Sequence, residues 1–193
     1  MSIPGADTVS ELPFTGTSGE VSGTKPSEIE REVIGFFDLY RNPLLRYALS
    51  FGLSVHDGEE IVQEVFLALF RHLKLRRSRQ NLRGWIFCVA HNLALKRRQA
   101  NQRSQGGVAL DETAVEGRED PSPNPEEQAL ATQRQRHLLA VLRALPEQDQ
   151  CCLRLRAEGL RYREIAHVLS MSLGAVSLSL TRSLARLMRA DEE

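Results

Sequence analysis

The sequence predicts an all-α chain of two small helical domains. Large apolar residues recur at helical spacing in both halves, no segment alternates as a strand would, and an acidic, Pro-rich stretch separates the halves. At 193 residues the chain is long enough for one medium domain or two small ones.

Residues 1–26 are rich in Gly, Ser, Thr and Pro and poor in large apolar side chains, so burial cannot offset the entropy of ordering them; a disordered N-terminal tail is expected. Ser27 with Glu30 forms a capping box, and Ile29, Val33, Phe36, Phe37, Tyr40, Leu44, Tyr47 and Ala48 then mark a helix that Pro43 should kink or divide near Asn42. Ser54 and Asp57 start a second helix over roughly 57–73, carrying Ile61, Val62, Val65 and Leu69. A basic loop from Lys74 to Asn81 leads to a third helix with Leu82, Trp85, Ile86, Val89 and Leu93, which ends in Lys96, Arg97, Arg98 and Arg103. These elements make a first domain over 27–104. Residues 105–128 read as a flexible acidic linker, because Gly106 and Gly107 open it and Pro121, Pro123 and Pro125 oppose regular helix. Helical periodicity resumes at Ala129, so the second domain covers 129–193, with further helices near 147–157, 161–169 and 173–190.

Formal charge sums to zero, but it is segregated. Residues 71–110 hold ten Lys or Arg and no acid, residues 1–70 hold 11 acids against 4 bases, and residues 111–127 hold 7 acids against 1 base. Residues 128–190 return to 10 bases against 4 acids. Basic segments suit nucleic acid, and acidic ones a cationic protein surface. No run approaches the length of a membrane span, so no membrane insertion is expected and a cytoplasmic protein is the simplest reading. Cys88, Cys151 and Cys152 form no ligand pattern and are expected as buried apolar residues. The five histidines sit without a nucleophile, a metal spacing or a Gly-rich phosphate loop, so neither an enzyme nor a cofactor is expected.

The C-terminal segment RYREIAHVLSMSLGAVSLSLTRSLARL reads as two helices meeting across a tight turn, with Ile165, Ala166, Leu169, Val176 and Leu180 buried and Ser172 capping the second. That geometry fits a helix-turn-helix, and it also fits an ordinary helical hairpin. The positions facing a groove would be Ala175, Ser177, Leu178 and Thr181, none of them charged; Arg182 and Arg186 follow, and Arg161 and Arg163 stand on the first helix. In the first domain Arg76, Arg77, Arg79, Gln80, Asn81 and Arg83, with Trp85, Asn92 and Lys96, combine cations that hold a backbone with amides and a ring that read or stack unpaired bases. A solvated basic face is the plainer reading of each cation, and core packing that of Trp85. On the acidic helix, Asp57 can complement the helix dipole, whereas Gln63, Glu64 and Leu67 lie beyond the first turn and suit a polar-rimmed docking surface.

Together, DGEEIVQEVFLALFRHL, NLRGWIFCVAHNLALKRR and LPEQDQCCLRLRAEGLRYREIAHVLSMSLGAVSLSLTRSLARL resemble the extracytoplasmic-function sigma factors of bacterial RNA polymerase, over about 32–100 and 134–189. The resemblance implies a region 2 domain that docks on core polymerase through Asp57, Glu60, Gln63, Glu64 and Leu67. The loop and following helix would then capture the melted promoter element. It implies a region 4 domain whose helix from Gly174 reads the upstream element, an acidic linker threading toward the RNA exit channel, and an anti-sigma factor as a further partner. The chain departs from the family at Ser177, Ser179 and Leu184, where basic residues are usual, and at Ser170, where the turn usually has Gly. Two other functions stay open. One is a conventional helix-turn-helix regulator acting without polymerase, and the other a polymerase-binding paralogue that has lost promoter reading.

Overall fold

The computed structural model describes residues 27–104 and 125–192. The expected N-terminal tail and residues 105–124 of the expected linker lie outside the described residues. Seven helices and no strand make up the described residues: α1 (Glu28–Leu49), α2 (Val55–Lys74), α3 (Leu82–Ser104), α4 (Pro125–Arg143), α5 (Glu147–Ala157), α6 (Tyr162–Leu169) and α7 (Leu173–Glu192).

The start of α1 is the capping box its sequence predicts: Ser27 Oγ accepts from the Glu30 amide at 3.2 Å, and the Glu30 carboxylate accepts from the Ser27 amide at 2.6 Å. Contrary to expectation, α1 is not divided at Asn42; it continues through Pro43 to Leu49. An interior Pro costs about 3 kcal/mol. The turns that follow bury Leu44, Tyr47 and Ala48 almost completely, which offsets that cost. Ser54 caps α2 by accepting from the Asp57 amide at 3.1 Å, and the apolar stripe Ile61, Val62, Val65, Leu69 and Leu73 packs inward. Gly58 lets α1 and α2 approach closely, since a Cβ there would stand 2.8 Å from Leu45 Cδ1.

The second half departs from the sequence reading at one boundary: α4 begins at Pro125, so residues 125–128 are helix rather than linker. The reason is that Pro breaks a helix in its interior but suits its first position, where its fixed φ is already helical and its missing N–H would have no partner. At the turn between α6 and α7, Ser170 adopts φ +53°, the left-handed region that favours glycine. Ser172 Oγ then accepts from the Ala175 amide at 3.1 Å and caps α7.

The two halves share one core. Buried residues from Leu44 in α1 to Leu180 in α7 form a continuous apolar cluster, with α3 packed against α6. A polar seam borders it. Arg46 donates to both carboxylate oxygens of Glu158 at 3.1 and 2.6 Å, Arg83 donates to the Glu158 carbonyl at 2.8 Å, and Arg98 pairs with Glu147 at 2.7 Å. Inside the first half, Arg97 joins α3 to α2 by contacting Asp57 Oδ1 and Glu60 Oε2, each at 2.7 Å, while Asn101 donates to Asp57 Oδ2 at 3.1 Å. Burial acts to raise the Asp57 carboxyl, but the hydrogen bonds from Ser54, Asn101 and Arg97 outweigh it and hold it below the usual carboxylate range.

Replacing Ser170 by Gly removes the cost of a left-handed non-glycine residue. It should raise stability by about 1 kcal/mol, measured as an increased urea midpoint at unchanged slope. Asp57 supplies a second prediction. Its folded pKa lies below the unfolded value of about 4, so its stabilising contribution is complete above that pH and fades as pH falls through the folded pKa. Asp57→Asn should therefore destabilise the protein at neutral pH and flatten the loss of stability in acid, both read from urea denaturation at stepwise pH; parallel pH profiles for the two proteins would contradict it.

Candidate nucleic-acid interface

The loop between α2 and α3 is held open by backbone geometry. Arg76 and Asn81, at its two ends, take φ +51° and +53°. Between them the His72 ring contacts the Ser78 carbonyl at 2.8 Å and Ser78 Oγ accepts from the Gln80 amide at 3.2 Å. Arg76, Arg77, Arg79, Gln80 and Asn81 are all exposed, and Arg79 leans back to Glu32 of α1 at 3.3 Å. Asn81 has a structural task as well: its Oδ1 accepts from the Gly84 amide at 3.2 Å and so caps α3. Gly84 is required there, because a Cβ would lie 2.4 Å from Asn81 Nδ2.

Along α3, Trp85, Asn92 and Lys96 follow at helical spacing, so they share a face that continues the loop. Asn92 and Lys96 are exposed. Trp85 is half-buried, its ring centroid 4.5 Å from that of His72 at 42°. It thus joins core packing to an accessible ring edge, which accommodates both sequence readings. Arg83 does not join this face. It turns toward α5 and α6, where it bonds the Glu158 carbonyl, lies 5.9 Å from the Tyr40 ring centroid, and leaves its Nε buried without a partner.

On α2, Gln63, Glu64 and Leu67 are exposed, Leu67 at 55 %. Glu60 stands at the edge of this patch, held by Arg97 and within 3.2 Å of His56, while Asp57 is drawn into the α2–α3 junction. The structure therefore brings together Glu60, Gln63, Glu64 and Leu67 and directs Asp57 inward.

In the second half, Arg161 and Arg163 are exposed at the start of α6 and line, with Tyr162, Glu164 and Asn81, a cleft of about 600 Å³ between the two halves. On α7, Val176 and Leu180 are buried as predicted, whereas Ser177, Leu178 and Thr181 are exposed and Ala175 is half-buried. Leu178 is 63 % exposed, opposite the buried stripe. Ser179 lies on the buried side, 2 % exposed, so it is no groove position and leaves no room for the basic residue that the family comparison suggests there. Its hydroxyl donates to Asp149 Oδ1 at 2.7 Å. Arg182 extends over the same carboxylate, with Nη2 at 3.1 and 2.7 Å from its two oxygens, and Arg186 lines a separate cleft with Arg189 and His137.

Three connections escaped the sequence reading: the Asp149 contacts with Ser179 and Arg182, the Arg97 contacts with Asp57 and Glu60, and the Arg46 contact with Glu158. Asp149 in the first turn of α5 is sufficiently explained by the helix dipole. Nothing in its spacing links it to positions 30 and 33 residues away. Cys151 and Cys152 are buried as expected, and burial pushes their thiols up; Cys88 is half-buried, and burial raises its thiol too.

Comparison with known proteins places both halves. The Sigma-70 region 2 family matches residues 36–104 and the Sigma-70 region 4 family matches residues 135–187. The chain is 31 % identical over 144 residues to the ECF RNA polymerase sigma factor ShbA of Streptomyces griseus, covering 74 % of this chain and 75 % of that one. It is 33 % identical over 147 residues to the probable RNA polymerase sigma factor RfaY of Xanthomonas campestris, covering 75 % of this chain but 36 % of RfaY, so it spans about a third of that relative. Among solved structures, the sigma factor RpoE of Bartonella quintana, in complex with the anti-sigma factor NepR, shares the fold at a TM-score of 0.62 and 16 % identity, over 83 % of this chain and 96 % of that one. CnrH, in complex with the cytosolic domain of CnrY, does so at 0.56 and 21 %, over 82 % and 86 %. With a region 2 unit and a region 4 unit in order on one chain, and a full-length-scale relative above 30 % identity, the protein belongs to the extracytoplasmic-function family of RNA polymerase sigma factors.

Proposed function

We propose that this chain is a promoter-specificity subunit: it binds core RNA polymerase, directs it to a promoter and assists strand opening without catalysing a reaction itself. The observation that carries this reading is the placement, on one small helical unit, of an exposed polar-rimmed patch (Gln63, Glu64, Leu67) on α2 and a basic, amide-bearing loop with Trp85 beside it. A regulator that worked alone would have no use for the first. Binding energy spent on splayed bases against Trp85, Gln80 and Asn81 favours the melted form of the duplex over the paired one. Arg76, Arg77 and Lys96 supply the sequence-independent attraction. In this reading α7 contributes upstream recognition through Ala175, Ser177, Leu178 and Thr181, with Arg161, Arg163 and Arg186 at phosphates. The protein acts in the cytoplasm, and an anti-sigma polypeptide is a further partner. Among the described residues no single helix is long and apolar enough to cross a membrane.

Run-off transcription with purified core polymerase on a genomic promoter library tests the whole reading. Specific initiation that requires both the chain and core supports it. Tight operator binding without core would favour a stand-alone regulator, and core binding without specific initiation would favour a paralogue that has lost promoter reading.

Two variants test the parts. Glu64→Lys reverses a charge on the exposed patch and touches no internal pair, so it should weaken core binding about tenfold while leaving the helical circular-dichroism signal intact. In the loop, Gln80 is a cleaner probe than Asn81, which also caps α3. Gln80→Ala should alter base preference in the melted element, whereas Arg77→Ala should weaken binding to every single-stranded sequence and reduce the salt slope by about 0.7. Equal, sequence-independent losses from both would remove base readout from this loop.

A further inference from the structure

Among the described residues Asp149 is the one buried carboxylate, 3 % exposed, and it lies in the first turn of α5, where the helix dipole favours a negative charge. Both its oxygens are used by α7. Oδ1 accepts from Ser179 Oγ at 2.7 Å, and Arg182 Nη2 spans Oδ1 at 3.1 Å and Oδ2 at 2.7 Å. Ser179 and Arg182 are three residues apart and share one side of the helix, so a single carboxylate holds two successive turns. The Arg182 side chain is half exposed but anchored on this carboxylate, and turning α7 so as to lift it away would break these contacts and leave the carboxylate buried and unpaired, which is strongly unfavourable.

We infer that Asp149 is a positioning residue for the DNA-facing helix: it sets the rotation of α7 and engages Arg182 so that it does not reach the phosphate backbone, leaving the first turns of the helix to meet the element through uncharged side chains. The inference rests on the reading of α7 as the DNA-facing helix. An Arg already neutralised by a carboxylate displaces no counterion when DNA arrives, so it contributes little to the salt-dependent, sequence-independent part of binding. What the first turns of α7 expose is Ser177, Leu178 and Thr181, hydroxyls that bond base edges and an apolar group that fits a thymine methyl, with Arg186 and Arg189 exposed only further along. Rotation then matters more than charge, because such contacts act only at short range.

The test is a charge cycle on the full chain, read as the slope of log affinity against log salt for a short random-sequence duplex. Arg182→Ala alone should leave the slope unchanged. Asp149→Asn should steepen it by about 0.9, as one more cation reaches a phosphate, and Arg182→Ala in that background should restore the original value. A shallower slope on Arg182→Ala in the otherwise unaltered chain would overturn the inference, as would a folded Asp149→Asn protein with no steepening. If Asp149→Asn does not fold, the single Arg182→Ala arm decides. Ser177→Lys, exposed on the same helix, separates the inference from the reading beneath it: if it leaves the slope unmoved, α7 does not face DNA and both fall. Positioning is read in the holoenzyme, where Asp149→Asn should reduce the ratio of transcription between a preferred and a scrambled upstream element. An unchanged ratio with a lowered melting temperature would make Asp149 a stability residue only.

Discussion

Tyr47 anchors the part of the shared core where the first half reaches Cys151 of α5. It is 1 % exposed, with Phe51, Phe87 and His91 rings around it and its hydroxyl 2.9 Å from His91 Nδ1. Burial, with the neighbouring Cys151 of α5, pushes its phenol far above the ordinary range, so it stays a neutral hydrogen-bonding group at any ordinary pH. Units of this size bury too little surface to be strongly stable on their own. Sharing a core through Tyr47, Cys151, Leu155 and Leu160 enlarges it, and Glu158 then pins the α5–α6 turn to α1 and α3 through Arg46 and Arg83.

The same packing decides which cations face outward. The sequence presents a dense positive field, but Arg46, Arg83, Arg97, Arg98 and Arg182 are each bound to an internal acid or carbonyl. Of these Arg46 and Arg182 stay exposed while paired, and Arg76, Arg77, Lys96, Arg161, Arg163 and Arg186 are exposed as well. Unpaired positive charge thus clusters on the α2–α3 loop and the start of α6, which line one cleft through Asn81 and Arg161, while on α7 the exposed cations lie in its later turns, at Arg182, Arg186 and Arg189.

Local structure was legible wherever it follows from neighbouring residues. The Ser27–Glu30 box, the Ser54 and Ser172 caps, the buried stripes of α2 and α7, the exposure of Leu178 and the strain at Ser170 are each properties of a few consecutive positions, and so was the resemblance to a two-part family. Apart from the start of α4, where Pro125 is tolerated at the first helical position, the errors came where distant parts intervene. Pro43 breaks an isolated helix, but here the burial of Leu44, Tyr47 and Ala48 carries α1 through it. The family pattern leads one to expect a basic residue at position 179, but a carboxylate on another helix makes the buried orientation of Ser179 favourable.

By itself, then, the sequence determined an all-α chain in two halves, the start signals of its capped helices, the basic loop and the uncharged first turns of α7, because periodicity, capping and local charge act over one or two turns. Only the tertiary structure decided that the halves share a core, that Asp57 and Arg83 turn inward, and that Asp149 holds Ser179 and Arg182. These are pairings between groups tens of residues apart, chosen by which buried charge finds a partner once the helices have packed, and no spacing along the chain encodes that choice.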